Sequence, residues 1–313
     1  MKTTCSATPA SAISRPIATV VQTRGADLVR KSISRNPRRC QACSTLLVLC
    51  FPKGTFKDMR FRTPQILALG GGGFSMEKDS SLLDDYALSL TGKRRPRVCF
   101  LPTASGDADH YVVRFYRRFA RCCEASHISL FRRDQGTGGV EDDLGSHLLR
   151  QDLVYVGGGN VVSMLGAWRA HGLDEVLREA WHSGVVMCGP SAGSLCWFAE
   201  SVSAFHGAGS RRVHGLGLLP CSNCVHYDAE PVRRTDYHRY VREGMHPGYA
   251  AEDGVALHFE GVDLARAVSS RPGGRAYRVE QVAGEVVEMS LEVSYLGPEA
   301  LDARLAASDA VAA

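Results

Sequence analysis

No stretch of this chain approaches the roughly 18–20 consecutive apolar residues that a membrane-crossing helix needs. The longest candidate, Leu46 to Phe51, falls far short, so the sequence predicts no membrane span. Nor does an apolar stretch of roughly 7–15 residues follow the first basic residues, which argues against a secretory signal. Acidic residues are scarce at one end only: residues 1–58 carry ten Lys or Arg against Asp27 and Asp58. Beyond residue 58 the balance reverses, to 27 basic against 31 acidic residues. A mildly acidic body lacks the basic face that phosphate neutralisation demands, and nucleic acid is not an expected partner. Phosphate-cradling loops are missing as well: no Gly-Lys-Ser/Thr occurs, and Gly70–Gly73 lacks the G-x-G-x-x-G spacing. The eleven cysteines form no framework. Cys40-Gln-Ala-Cys43 has a metal or redox spacing, yet no second Cys pair or His pair completes a zinc site. The chain therefore reads as reduced and cytoplasmic, with neither metal nor cofactor expected.

What is present divides the chain in three. Residues 1–58 are Ser-, Thr- and Arg-rich without sustained periodicity. That composition fits a transit peptide, a disordered extension, or an upstream start with Met59 as the working start. Residues 59–300 form the expected folded body, and residues 301–313 a frayed tail. Overall, 44% of residues are hydrophobic, enough for a full core.

In the body, short apolar runs alternate with helical patterns. Gln65–Leu69 breaks into Gly70-Gly-Gly-Gly73, and Leu82, Leu83, Tyr86, Ala87 and Leu90 then recur at helical spacing. Arg97–Leu101 predicts a second strand, 109–123 a helix, and 126–131 a third strand. Leu153–Val156 leads into Gly157-Gly-Gly159, followed by helices over 161–170 and 173–183. A strand over 184–188 enters Gly189-Pro-Ser-Ala-Gly193, and after Phe259 the pattern turns β-rich. Continuous apolar strands separated by helices predict an α/β fold with a mostly parallel sheet covered on both faces. Functional loops in such sheets lie at the carboxyl ends of the strands, where the three glycine-rich turns sit.

Gly189-Pro-Ser-Ala-Gly193 has the form of a G-x-S-x-G elbow at a strand-to-helix junction. Small neighbours permit the sharp turn that lifts the Ser191 hydroxyl clear, and the next amide, on Ala192, opens a helix where it can meet an oxyanion. A serine nucleophile needs a base and an orienting acid. His226, in Cys224-Val-His-Tyr-Asp228 after a Leu-Pro turn, is the strongest base candidate. Asp253 precedes the predicted strand over 255–259, but Asp228, Glu230, Glu200 and Glu252 compete, and spacing does not choose among them.

The ordered set Leu67-Ala-Leu-Gly-Gly-Gly-Gly, Leu101-Pro-Thr-Ala-Ser, Val156-Gly-Gly-Gly-Asn160, Gly189-Pro-Ser-Ala-Gly-Ser, His226-Tyr-Asp and Glu252-Asp-Gly254 resembles the dipeptidase E family. These are α-aspartyl dipeptidases and relatives, including cyanophycinase, and the likeness covers roughly residues 64–262. The resemblance implies a serine peptidase on a flavodoxin-like sheet related to class I glutamine amidotransferases. By motif, Ser191 matches the nucleophile, His226 the histidine (with Val225 replacing a Pro) and Asp253 the acid before Gly. Gly158 and Ala192 would supply the oxyanion amides, and Asn160 matches the Asn of the Gly-Gly-Gly-Asn loop. Arg233 or Arg234, in a segment rich in turn signals, resembles the arginine that reads a substrate carboxylate. Relatives carry an Asp in the loop after the elbow helix, where this chain has Ser203-Ala-Phe-His206.

The expected activity is thus hydrolysis of short peptides, foremost dipeptides with N-terminal Asp, with a small peptide as partner and a homodimer as an open assembly state. An α/β-hydrolase esterase shares the elbow but orders its triad Ser, acid, His, whereas here His226 precedes Asp253. A glutamine amidotransferase would need Cys at the elbow, and Cys188 lies three residues early. A non-catalytic small-molecule-binding protein is the remaining alternative.

Overall fold

Buried apolar runs take up the strands of the first half, as shown by the computed structural model, which describes residues 62–77, 81–131, 143–204 and 209–298. The order begins β1 (Gln65–Leu69), α1 (Leu82–Leu90), β2 (Arg97–Leu101), α2 (Asp109–Phe119), β3 (Glu124–His127) and α3 (Leu144–Leu149). It continues through β4 (Leu153–Val156), α4 (Val161–Ala170), α5 (Leu173–His182), β5 (Val186–Pro190) and the short α6 (Ala192–Leu195). The second half is mostly strand: β6 (Phe198–Ser203), β7 (Arg211–His214), β8 (Leu219–Cys224), α7 (Pro231–Arg242) and β9 (Gly248–Ala251). Then come β10 (Val255–Glu260), β11 (Asp263–Ser269), β12 (Ala276–Val282), β13 (Glu285–Ser290) and β14 (Val293–Tyr295). The basic leader, the Cys40–Cys43 pair, the 301–313 tail and part of the Ser203–His206 stretch lie outside the described residues.

Two sheets result. The larger runs β14-β11-β10-β1-β5-β4-β2-β3, and its half from β1 to β3 is parallel throughout. On one face Leu67, Leu69, Phe100 and Tyr155 pack against Leu83 of α1 and Phe115 and Phe119 of α2. On the other, Ile66, Leu101, Val154 and Met187 meet Leu165 and Trp168 of α4 and Leu177 of α5. Helices thus cover both faces, and each such large side chain contributes about 1.5–3 kcal/mol by leaving water. Phe74, just past the first glycine turn, meets Phe100, Tyr111, Phe115, Phe119 and Tyr155 at ring-centroid distances of 5.0–5.9 Å. That aromatic cluster ties the turn after β1 to α2 and β4.

The second sheet, β13-β12-β9-β8-β6-β7, was not expected as a separate layer. One face packs Val202, Cys224 and Val279 against Tyr237 and Val241 of α7, while Phe198, Leu219 and Ala251 join the core of the larger sheet. The Leu219-Pro220 dipeptide, expected as a turn, lies inside β8. Pro220 falls where the β6–β8 register shifts, a place where a strand tolerates a residue without an N–H. The stretch holding Arg233 and Arg234 is not turn but helix α7, opened by Pro231 in its first turn, where the missing N–H costs nothing. The helix expected over 109–123 stops at Phe119, and β3 begins and ends earlier than the expected 126–131.

Candidate active site

The end of β5 carries the elbow. A Cβ built on Gly189 or Gly193 would lie 2.3 or 2.1 Å from the Val156 carbonyl oxygen, so only glycine lets the turn sit against the end of β4. Between them Ser191 adopts φ 54° and ψ −117°, a conformation of a kind that costs about 1–3 kcal/mol and persists only where surrounding structure enforces it. Its carbonyl accepts the amides of Ser194 and Leu195, both at 2.9 Å, and the Ala192 amide is left at the opening of α6 without an intrahelical acceptor.

The turn after β1 gathers the remaining pieces. The Ser191 amide donates to the Leu69 carbonyl at 3.3 Å, and the His226 amide to the next carbonyl, Gly70, at 3.1 Å. The Gly254 amide donates to Gly71 at 3.1 Å, and the Gly70 amide to Val255 at 2.8 Å. Three consecutive residues thereby hold the serine, the histidine and the acid-bearing turn. His226 Nδ1 and Asp253 Oδ1 are 2.6 Å apart. A Cβ on Gly71 would stand 2.0 Å from that oxygen and 3.0 Å from His226 Nδ1, so a side chain there is incompatible with the pair. His226 itself has φ 54°, a left-handed backbone uncommon for a residue other than glycine.

Geometry separates the five candidate acids. Glu200 is tied to Arg212 and His246, Glu230 to Arg233, and Glu252 to Arg271 and Arg275. Asp228 accepts the Asp253 amide through Oδ1 at 2.9 Å and Arg271 Nη2 through Oδ2 at 2.6 Å. Burial works to raise the Asp228 carboxyl, but those two donors outweigh it and hold it below the ordinary range. Asp253 is the acid against His226, with Asp228 behind it.

Beside Ser191 opens a cleft of ≈310 Å³, lined among others by Ser105, His110, Tyr111, Arg114 and Gly158. A Cβ on Gly158 would lie 3.4 Å from Ser191 Cβ, and its amide donates to the Tyr111 hydroxyl at 3.1 Å. Burial raises the Tyr111 phenol, so it keeps its proton at neutral pH. Asn160 caps α4, its Oδ1 accepting the Ser163 amide at 2.9 Å, and its own amide donates to Ala104 at 2.7 Å. Arg233 is buried and bound bidentately to Glu230, with Nη1 on the Val202 carbonyl. Arg234 pairs with Glu288 and lies over the rings of Tyr227 and Tyr277. Neither arginine lines the cleft beside Ser191. Sequence reasoning missed the cleft wall from α2. The spacing of His110, Tyr111 and Arg114 in a helix that follows a strand's carboxyl end was the available signal.

Among the described residues no group of three or more His, Cys, Asp or Glu could hold a metal ion. No described helix is long and apolar enough to cross a membrane. The family model described as "Peptidase family S51" matches residues 66–266. "Uncharacterized peptidase YgaJ" of Bacillus subtilis is 47% identical over 235 residues, 74% of this chain and 99% of that protein. An uncharacterized peptidase of Listeria innocua is 24% identical over 178 residues, 53% of this chain and 81% of its own length. The crystal structure of a peptidase from an acI-B1 Actinobacterium superposes with a TM-score of 0.54 at 14% identity, covering 74% of this chain and 99% of that one.

Proposed function

From the premise that this chain belongs to peptidase family S51, the dipeptidase E family its motifs resemble, and is a peptidase, we propose that it works through a Ser191–His226–Asp253 triad on short peptides, foremost dipeptides with N-terminal Asp. One observation carries the reading. The elbow serine and a histidine already paired with an acid hang from adjacent carbonyls, Leu69 and Gly70. Ser191 Oγ attacks the scissile carbonyl while His226 Nε2 takes its proton, and Asp253 fixes the imidazole with Nδ1 carrying the other proton. The amides of Gly158 and Ala192 receive the oxyanion, the Tyr111 hydroxyl yielding its place on Gly158. His226 then returns the proton to the leaving amine, and water attacks the acyl-serine by the same route in reverse.

The sheet supports the finer fold reading. The strands β3-β2-β4-β5 follow the flavodoxin-like order, with β1 in the place of a fifth strand, as expected of a class I glutamine amidotransferase relative. The test is a fluorophosphonate probe together with a panel of dipeptides. Labelling at Ser191 that disappears in Ser191→Ala, with cleavage of Asp-X in preference to X-Asp, is expected. A folded Ser191→Ala variant that still cleaves at the wild-type rate would overturn the triad.

A further inference from the structure

One of the two amides assigned to the oxyanion is already engaged. The Gly158 amide donates to the Tyr111 hydroxyl at 3.1 Å, and both residues line the cleft that contains Ser191. The phenol ring has little freedom. It meets Phe74 and Phe100 at ring-centroid distances of 5.3 and 5.1 Å, and a Cβ built on Gly157 would lie 2.9 Å from its Cε1. Only 8% of Tyr111 is exposed. Another polar neighbour of the hydroxyl is Ser75, whose own proton goes to the Gly72 carbonyl at 2.6 Å. Burial keeps the phenol protonated at neutral pH, so it stands at the oxyanion amide able to donate.

We propose that the Tyr111 hydroxyl is a third donor to the oxyanion, a catalytic residue beside the amides of Gly158 and Ala192. This rests on the attack by Ser191 proposed above. An oxygen that takes the Gly158 N–H arrives next to the phenol oxygen, since both then lie close to one nitrogen. Ring packing confines the displaced hydroxyl to that neighbourhood, and two oxygens so close repel unless a proton lies between them. Tyr111 turns its proton onto the oxyanion; no bond breaks, and the phenol keeps its proton throughout. The exchange also separates charge states. A neutral substrate carbonyl gains little over the phenol oxygen as an acceptor for Gly158, whereas an alkoxide gains the amide and the phenol together. The stabilisation therefore belongs to the transition state and not to the bound substrate, which is the condition for raising kcat.

The test compares the full chain with its Tyr111→Phe variant by three readings. They are kcat and KM on the dipeptide cleaved best, the rate at which a fluorophosphonate labels Ser191, and the calorimetric affinity of that dipeptide in the Ser191→Ala background. The phosphoryl oxygen of the label enters the same hole as the oxyanion. Tyr111→Phe should lower kcat by about 10² and slow labelling by about tenfold or more, while KM and dipeptide affinity change by less than about threefold. Unchanged or faster turnover would show that Tyr111 only plugs the amide, and overturns the assignment. A loss carried by KM and dipeptide affinity overturns it as well. If Tyr111→Phe does not fold, 3-fluorotyrosine at position 111 decides, being a more acidic phenol of nearly the same shape. It should lower the pH at which kcat falls on the alkaline side, and an unmoved alkaline limb overturns the assignment. If the wild type cleaves no dipeptide but is labelled about tenfold faster than Tyr111→Phe, the dipeptide reading fails and the Tyr111 assignment stands. Labelling of both at equal rates overturns it.

Discussion

The elbow serine and the histidine–acid pair are held by different physics. Ser191 follows β5, a strand with a neighbour on each side, and its elbow is shaped by backbone against backbone, Gly189 and Gly193 on Val156. His226 leaves the second sheet after β8, and Asp253 sits in a turn whose support is polar: Asp228, Arg271 and Glu252 behind it. Close packing admits few alternatives, so the serine's limb should fail by unfolding when disturbed. A hydrogen-bonded turn has softer alternatives, so the acid's limb should fail by losing alignment while the fold survives.

Three substitutions test that division most strongly. Asp253→Asn should lower turnover by on the order of 10⁴, because the amide stabilises the wrong imidazole tautomer while filling the same space. Its melting temperature should stay near that of the wild type, and a loss of only a few fold would move the orienting role to another acid. Gly71→Ala comes next. The new methyl would press on the Asp253 carboxylate, a side chain able to swing away, so about 10² in turnover should be lost with modest loss of stability. Gly193→Ala, pressing on a backbone carbonyl, should instead lower the melting temperature markedly. If both glycine variants unfold alike, the distinction between the limbs is wrong.

The same contrast explains what could be read from the sequence. The strands Gln65–Leu69, Arg97–Leu101 and Leu153–Val156 and the helix Val161–Ala170 are found where their apolar runs placed them, because both faces of that sheet are buried. The second sheet was far less legible. Its β6 and β8 carry Glu200, Ser201, Ser203, Ser222 and Asn223, polar side chains of which Glu200 and Ser222 are held by specific partners such as Arg212 and Tyr237. No periodicity announces such pairing. Helix α7 reads as turn because arginines and polar residues crowd it, and what buries its Tyr237 and Val241 is tertiary contact with β6 and β12. Ser191 was legible from its elbow. The choice of Asp253 over four rival acids needed three-dimensional pairing, since all five lie in turns or strands of similar composition.

One group complicates the apolar side of the comparison. Asp84 is fully buried beneath the β1 turn, with Tyr155 donating to Oδ1 at 3.1 Å and Arg118 Nε 3.3 Å from Oδ2 without hydrogen-bond alignment. Burial dominates over the attraction of Arg118 and lifts the carboxyl from 3.8 to about 7. The native state therefore holds this proton where the unfolded chain has released it. The associated stability is complete below pH 3.8, declines as pH rises through the interval to about 7, and is gone above it. Asp84→Asn removes the titration. Its stability relative to wild type, measured by urea unfolding, should climb across that interval by up to about 4 kcal/mol and then level off. A difference independent of pH would show that Asp84 is ionised throughout.

The smallest expected effect concerns Arg271. Its guanidinium joins Asp228 and Glu252, at 2.6 and 3.0 Å, yet the side chain is 44% exposed, so water screens much of the attraction. Asp228, in turn, reaches the site through its bond to the Asp253 amide. Arg271→Met keeps the length of the stem and removes both ion pairs. The Asp253 turn remains fastened to Gly71 through the Gly254 amide, so the carboxylate should drift rather than detach. On the proposed triad, a loss of about two- to tenfold in kcat is expected with KM nearly unchanged, since there the displaced group orients the base and does not touch substrate. Stability should fall by no more than about 1 kcal/mol. Removing Arg271 also removes a donor that keeps Asp228 ionised, so the deficit should widen as pH falls toward the carboxylate range, and Arg271→Lys should restore part of the activity. A loss as large as that of Asp253→Asn would mean that the polar network, not the backbone bonds to Gly70 and Gly71, sets the geometry of the pair. No loss at any pH would mean that those backbone bonds suffice.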